Sequence, residues 1–553
     1  MKNIPLHFTL LLAVFILFSC SKKTKNTTAP SEAEKQALEQ ARLNGILVNE
    51  GLERCRRFVD GWLEYADTAT GLIPRNLYES ADIWNAKDAA ADNYPFMVLT
   101  SAITDQKLFE GRMLDMLQTE MRLTSRIDNM PDTYSFEKQG FDKEEADIDD
   151  IMFGSSEYIK DGLLPLTEWL GASPWSERMI AILDDMWKHA PVETEFGKIV
   201  STNEELNGEM LQVLSRIYWM TGEQKYLDWA IRLGDYYLLG NNHPTNDFTK
   251  LRLRDHGCEV VSGLCELYGT VSFAQPEKKE IYQPFIHQML DRILEVGTNA
   301  DGLFYNIINP QTGEVLNNGI ADNFGYTLNG FYTVYQVDSV KSYRDATLKG
   351  LSTLNDAYRN FDWERGSSDG YADAVEGALN LYAREPVPSA KEWIDSEIKV
   401  MWSMQDSSHR ENALKWRSSG VIEGWHGDGN FARTTIMYCL WKTQGMTVAP
   451  WRSDVKAGAE MNGEDVLISV EVDTDWEGVL KFDSPRHETI MHMPQDWPRI
   501  NQFPEWFTTK ENSNYTLVKF DGDKPETFTG KQLNSGVKVS LKKGVNQFIL
   551  KTL

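Results

Sequence analysis

Leu206-Asn207-Gly208-Glu209-Met210-Leu211-Gln212-Val213-Leu214-Ser215-Arg216-Ile217-Tyr218-Trp219-Met220-Thr221 is apolar nearly all round a helix. After Gly222-Glu223-Gln224-Lys225-Tyr226-Leu227 comes Asp228-Trp229-Ala230-Ile231-Arg232-Leu233-Gly234-Asp235, which has one polar face. The first segment must be buried on both sides, and the second turns its polar face to water. Similar pairs recur at 92–124, 157–189, 256–295, 322–358 and 371–405, with an outer helix at 47–66 before them and an inner one at 429–442 after them. A period of about 45 to 65 residues is that of helical-hairpin repeats. Open arrays need polar capping repeats, whereas the last helix, Phe431 to Trp441, is strongly apolar. The reading is a mainly α fold: a closed (α/α) toroid of six or seven helical hairpins.

Seven of the apolar helices open on polar clusters: Asp92-Asn93-Tyr94, Ser156-Glu157-Tyr158, Asn207-Gly208-Glu209, His256-Gly257-Cys258, Asp322-Asn323-Phe324, Asp369-Gly370-Tyr371 and Asp428-Gly429-Asn430. In a closed ring these starts collect at one mouth. A ring of carboxylates, aromatic rings and arginines around one cavity suits carbohydrate chemistry. From residue 446 the pattern changes to strand alternation, as in Val466-Leu467-Ile468-Ser469-Val470-Glu471-Val472 and Gly536-Val537-Lys538-Val539-Ser540-Leu541. A C-terminal β-sandwich domain over 446–553 is expected, packed on a catalytic toroid over 34–445.

The chain of 553 residues carries 56 Lys and Arg against 82 Asp and Glu, a formal charge of −26, which argues against nucleic acid as a partner. Lys2 and the short apolar run Leu10 to Phe18 read as a signal peptide over 1–20, too short for a membrane span. Leu17-Phe18-Ser19-Cys20 reads as a lipobox, making Cys20 the lipidated residue of a periplasm-facing outer-membrane lipoprotein. Residues 21–33 read as a flexible tether. Of the other cysteines, Cys258 and Cys265 lie two helical turns apart, too far for a disulfide, and read as buried small hydrophobes. No metal or cofactor motif is present; His256 and Glu259 alone do not make a metal site.

Three stretches carry candidate chemistry. In Arg252-Leu253-Arg254-Asp255-His256 two guanidiniums precede an acid and an imidazole at a helix start, a set suited to an anionic sugar. The plainer reading is that Asp255 caps its helix, worth roughly 1 kcal/mol. In Asp369-Gly370-Tyr371-Ala372-Asp373-Ala374-Val375-Glu376, Asp369 is placed to cap, while Asp373 and Glu376 share a helix face and need a further reason. In Glu423-Gly424-Trp425-His426-Gly427-Asp428-Gly429-Asn430-Phe431-Ala432-Arg433, glycines permit close approach while Trp425 and His426 offer stacking and hydrogen bonding.

The order of lipobox, helical hairpins and β-region resembles the α/α-toroid glycoside hydrolases of Bacteroidota. Asp92-Asn93-Tyr94-Pro95-Phe96 and Asp369 to Ala378 look most like glycoside hydrolase family 154, the exo-acting β-glucuronidases. The resemblance implies release of terminal glucuronate from plant or algal glycans, without a cofactor. Two carboxylates would flank the bond. From position, Asp255 and Asp373 are the expected pair, with Glu209, Asp322 and Glu376 in reserve. Arg252, Arg254 and Arg433 would hold the sugar carboxylate, with His256, Asn93, Tyr94, Tyr371, Trp425 and His426 as further substrate contacts. A polysaccharide lyase would instead need Tyr326, Tyr371, His256 or His426 as a base. A non-catalytic glycan-binding lipoprotein is the third reading.

Overall fold

The computed structural model describes residues 30–254, 257–406, 420–520 and 524–553. The lipidation candidate, Cys20, lies outside the described residues, and so do Asp255 and His256. Among the described residues, no helix is long and apolar enough to cross a membrane.

Fourteen helices alternate between an outer and an inner ring among the described residues. The outer ones are α1 (Glu32–Glu64), α3 (Leu114–Thr124), α5 (Pro174–Lys188), α7 (Gln224–Leu238), α9 (Pro276–Val296), α11 (Lys341–Ala357) and α13 (Pro388–Asp406). The inner ones are α2 (Tyr94–Thr104), α4 (Ile148–Glu157), α6 (Glu204–Thr221), α8 (Glu259–Ala274), α10 (Phe324–Asp338), α12 (Ser368–Tyr382) and α14 (Asn430–Thr443). A π-helical turn, Ala86–Asn93, leads into α2, and another, Tyr158–Leu163, carries α4 on to Leu164–Leu170. From α4 onward each inner helix packs on the next, α2 and α4 meet through their π-helical turns, α14 packs back on α2, and α1 lies against α14, so the ring closes across both ends of the helical region. The count is therefore seven hairpins.

The burial follows the sequence pattern. In α14 every residue from Asn430 to Thr443 is buried. In α7 only Tyr226, Leu227, Ala230, Leu233, Gly234, Tyr237 and Leu238 are, a stripe at helical spacing. Two sequence expectations shift. The second inner helix starts at Ile148, capped by Asp147, so Glu157 stands within it rather than at its start. The cap of α12 is Ser367, whose Oγ accepts from Gly370 N at 2.9 Å, which leaves Asp369 for other work.

Glycine sets how close the inner helices come. A Cβ at Gly208 would lie 2.4 Å from the backbone of Glu259 and Val260, and one at Gly325 would lie 2.3 Å from Gly377 Cα. These two contacts join α6 to α8 and α10 to α12.

After Met446 the chain forms strands β1 (Thr447–Ala449), β2 (Val455–Asn462), β3 (Asp465–Val472), β4 (Trp476–Lys481), β5 (Asn514–Lys519), β6 (Glu526–Thr529), β7 (Val537–Leu541) and β8 (Gly544–Thr552). They make a five-stranded sheet, β2-β3-β8-β5-β6, and a three-stranded sheet, β1-β4-β7. All their pairings are antiparallel. Residues of both sheets, among them Val455, Ile468, Trp476, Leu480, Val537 and Leu550, share one apolar cluster. Helix α1 lies on β2, where Asn44 Nδ2 donates to Ala459 O at 2.8 Å.

The connection from β4 to β5 does more than join strands. Its Met491, Met493, Trp497 and Phe503 belong to the apolar core of the helical rings. Ile500 packs on Cys258 and Tyr326. Its charges are matched deep inside: Arg499 pairs with Glu168 at 3.2 Å, Arg384 with Asp496 at 2.7 Å, and Arg216 donates to Ile500 O at 3.1 Å. The segment thus fills the ring from below and floors the cavity above it.

If the Gly325–Gly377 contact sets the ring's closure, Gly325→Ala costs roughly 1–3 kcal/mol through overpacking. Gly111→Ala, with open space around the new methyl, leaves the thermal unfolding midpoint within a degree or two of wild type. Equal midpoints for the two variants would show that helix spacing does not depend on this glycine pair.

Candidate functional site

The mouth of the ring holds carboxylates from every described inner wall. The π-helical turn before α2 brings Asp88 and Asp92, the turn within α4 brings Asp161, and α6 brings Glu205 and Glu209. Glu259 opens α8, Asp322 precedes α10, Asp369, Asp373 and Glu376 stand on α12, and Asp428 precedes α14.

Asp373 is the most thoroughly held. Arg433 Nη2 donates to its Oδ1 at 2.7 Å, Tyr326 Oη to the same oxygen at 2.8 Å, and Asn323 Nδ2 to Oδ2 at 2.7 Å. Burial and then the charge of Asp369 raise its pKa, Arg433 and Tyr326 oppose them, and the result is about 6. At neutral pH it is mostly ionised. Asp322 stands one residue before Asn323, on the adjoining helix start, with Arg254 Nε at 3.9 Å. Burial, and next the negative charge of Asp373, hold Asp322 well above the carboxylate range. Neighbouring acids whose environments separate their pKa values are the usual basis for distinct acid and base roles.

Glu376 lies beneath. It is fully buried, 2.7 Å from Arg433, and its Oε1 accepts from Asn501 N at 2.6 Å. Burial raises it to about 7. It is out of reach of a substrate and acts through Arg433. Arg433 itself is 2% exposed and bound to Asp373, Glu376 and Asn430 Oδ1. The expectation that Arg433 grips a sugar carboxylate is therefore corrected: its guanidinium is spent on protein acids.

Two aromatic expectations are corrected likewise. Tyr94 is buried between helices, its hydroxyl donating to Met113 O at 2.6 Å and accepting from Trp175 Nε1 at 2.9 Å. Tyr371 donates to Phe361 O at 2.8 Å and packs in the core. Both are structural. Asn93 is fully buried, with neither amide atom hydrogen-bonded, under the close approach of Gly427.

Other candidates sit at the rim. Trp425 is 72% exposed. His426 stands 3.7 Å from Asp92 and 3.9 Å from Asp88. Burial pulls its pKa down, but those two acids outweigh burial and raise it to about 9, so it is a cation at neutral pH. Arg254 is partly exposed and bridges to Glu364 at 2.8 Å. Arg252 lines an open cleft with Glu204 and Lys250. Glu209 is buried near Glu157 and Asp161.

Asp161, Lys160 and Asn501 escaped the reading of the sequence. Asp161 stands four residues after Glu157 in an apolar helix, a spacing that matches Glu205 and Glu209, and that repetition was the available signal. Asn501 had none: it lies 125 residues from the Glu376 that it holds.

No protein-family model matches the chain, and no curated protein matches it in sequence. Among solved structures it is similar to a family 76 glycoside hydrolase from a bovine Bacteroides thetaiotaomicron strain: 13% identity, 59% of this chain and 76% of that one covered, TM-score 0.41. An α-1,6-mannanase of the same family from Salegentibacter sp. gives 13% identity over 54% of this chain and 89% of the other, TM-score 0.39. An unsaturated glucuronyl hydrolase from Bacillus sp. gives 12% identity over 54% and 86%, TM-score 0.34. Likeness at this level lends no weight to any activity.

His426 yields a pH prediction. A raised histidine pKa adds stability that is complete below about 6.5 and is lost as pH rises through about 9. The wild-type free energy of unfolding should fall across this window by an amount on the order of a few kcal/mol, and His426→Gln should flatten that fall. An unchanged slope in the variant would mean that His426 is not charged at neutral pH.

Proposed function

We propose that the protein is an exo-acting glycoside hydrolase that removes a terminal uronic acid, a β-glucuronidase akin to glycoside hydrolase family 154. The observation that carries the reading is a triply hydrogen-bonded Asp373 beside an Asp322 whose burial favours its protonated form, at the mouth of a closed helix ring.

In this mechanism Asp322 gives its proton to the glycosidic oxygen as the bond to the anomeric carbon breaks. Asp373 takes a proton from the water whose oxygen bonds to that carbon. Arg433, Tyr326 and Asn323 keep Asp373 ionised and oriented. Arg254, close to Asp322 and partly open to solvent, and the cationic His426 supply positive charge for the sugar carboxylate. Trp425 offers a stacking face at the rim. In the same reading the lipobox around Cys20 tethers the enzyme to the outer membrane, facing the periplasm.

The lyase reading loses three of its four candidate bases, the fourth, His256, lying outside the described residues. Tyr326 is buried, its hydroxyl is committed to Asp373, and burial raises its pKa well above the usual tyrosine value. Tyr371 is bound to Phe361 O, and His426 already carries its proton.

The test is release of glucuronic acid from glucuronate-capped oligosaccharides, saturated and unsaturated, beside a linear α-1,6-mannan. Wild type should release glucuronic acid, and Asp322→Asn and Asp373→Asn should each lower kcat by roughly 10²–10⁴-fold. Mannose release alone would discard the uronate specificity. Full activity in both variants would discard this pair of acids.

A further inference from the structure

We propose that Glu157, Asp161 and Glu209 hold a calcium ion between the second and third inner helices. Nothing in the hydrolytic mechanism above uses these three side chains as a set.

Geometry comes first. One carboxylate oxygen from each of the three residues lies within 4.8 Å of the others. Glu157 and Asp161 stand four residues apart on one helix, and Glu209 faces them from α6, with Glu205 one turn earlier. Oxygens this close can share one divalent cation, and a set made wholly of protein oxygens suits Ca²⁺ better than Mg²⁺, which usually keeps several waters. An all-oxygen set is also what a hard cation requires.

The second observation is a carboxylate without a partner. Glu209 is 1% exposed, and neither of its oxygens accepts a hydrogen bond. A buried carboxylate in that state costs several kcal/mol unless it takes a proton or a cation. Asn501 adds a neutral oxygen. It is 1% exposed and donates Nδ2 to Asp161 Oδ1 at 2.6 Å, and its own Oδ1 has no donor.

Protein cations do not fill the need. Lys160 is the ammonium at this place, and it sits 2.7 Å from Asp161 Oδ1 and 2.7 Å from Glu259. Both of its neighbours are thereby served; its charge also reaches Glu209, but no hydrogen bond joins the two. Burial and the mutual repulsion of the acids raise Glu157 and Glu209 well above the carboxylate range. Two other acid clusters are better satisfied: Asp88 is taken by Arg75 and Asn85, and Asp496 by Arg384 and Arg499.

Calorimetric titration of the chelator-treated full chain with Ca²⁺, Mg²⁺ and Mn²⁺ tests the proposal, with unfolding midpoints measured alongside. Wild type should bind one Ca²⁺ saturably, more tightly than Mg²⁺, and unfold at a higher temperature. Glu209→Gln and Asp161→Asn should weaken that binding at least tenfold. In chelator, Glu209→Gln should unfold no earlier than wild type, because it keeps the side chain's shape and removes a buried acid that has no hydrogen-bond donor. Absence of saturable binding of Ca²⁺ to wild type, tighter Mg²⁺ than Ca²⁺, or binding untouched in both variants would overturn the proposal. None of these readouts depends on glycosidase activity, so its failure would be separate.

Discussion

Every carboxylate that the ring turns inward loses water and must find a cation, hydrogen bonds or a proton in exchange. That constraint orders the interior from floor to mouth. On the floor the exchange is complete: Arg216 grips Glu266 and reaches Glu168, and Arg499 takes the other oxygen of Glu168. One level up, Arg433 serves both Asp373 and Glu376, and Lys160 serves both Asp161 and Glu259. At the mouth cations are fewer, with Arg254 near Asp322 and His426 near Asp92, so burial favours the protonated forms of Asp322 and Glu209, and it is there that chemistry and ligands become possible.

The segment between β4 and β5 belongs to this scheme. It brings Arg499 and Asp496 into the floor and sets Asn501 against carboxylates of two different helices. Asn501 takes a left-handed backbone conformation, φ +60°, which asparagine tolerates better than most residues. The β-region is thus tied to the cavity by polar contacts that neither part of the chain could form alone. Its five-stranded sheet packs on α1 from outside, and its longest connection completes the ring from inside.

The alternation of all-round apolar and one-sided helices was legible, because a helix between two layers and a helix facing water carry different residues. The polar helix starts were legible for the same reason: an acid at the head of an apolar helix has no place in a core. Partner choice was less so. Arg433 reads like Arg254 in the sequence, yet one is buried among acids and the other opens to solvent, and only the packing of α12 against α14 decides which. Tyr94 and Tyr371 stand at helix starts but turn outward, since a one-residue step rotates a side chain about 100° around the helix. The start of α4 was misplaced because a π-helical turn interrupts the helix and shifts its apolar face.

The most direct test of the account is a crystal structure of Asp322→Asn bound to a glucuronate-capped disaccharide. The account places the glycosidic oxygen within hydrogen-bond reach of residue 322, the anomeric carbon facing Asp373, and the sugar carboxylate toward Arg254. A disaccharide seated in the cleft of Glu204, Lys250 and Arg252, away from Asp373, would contradict it.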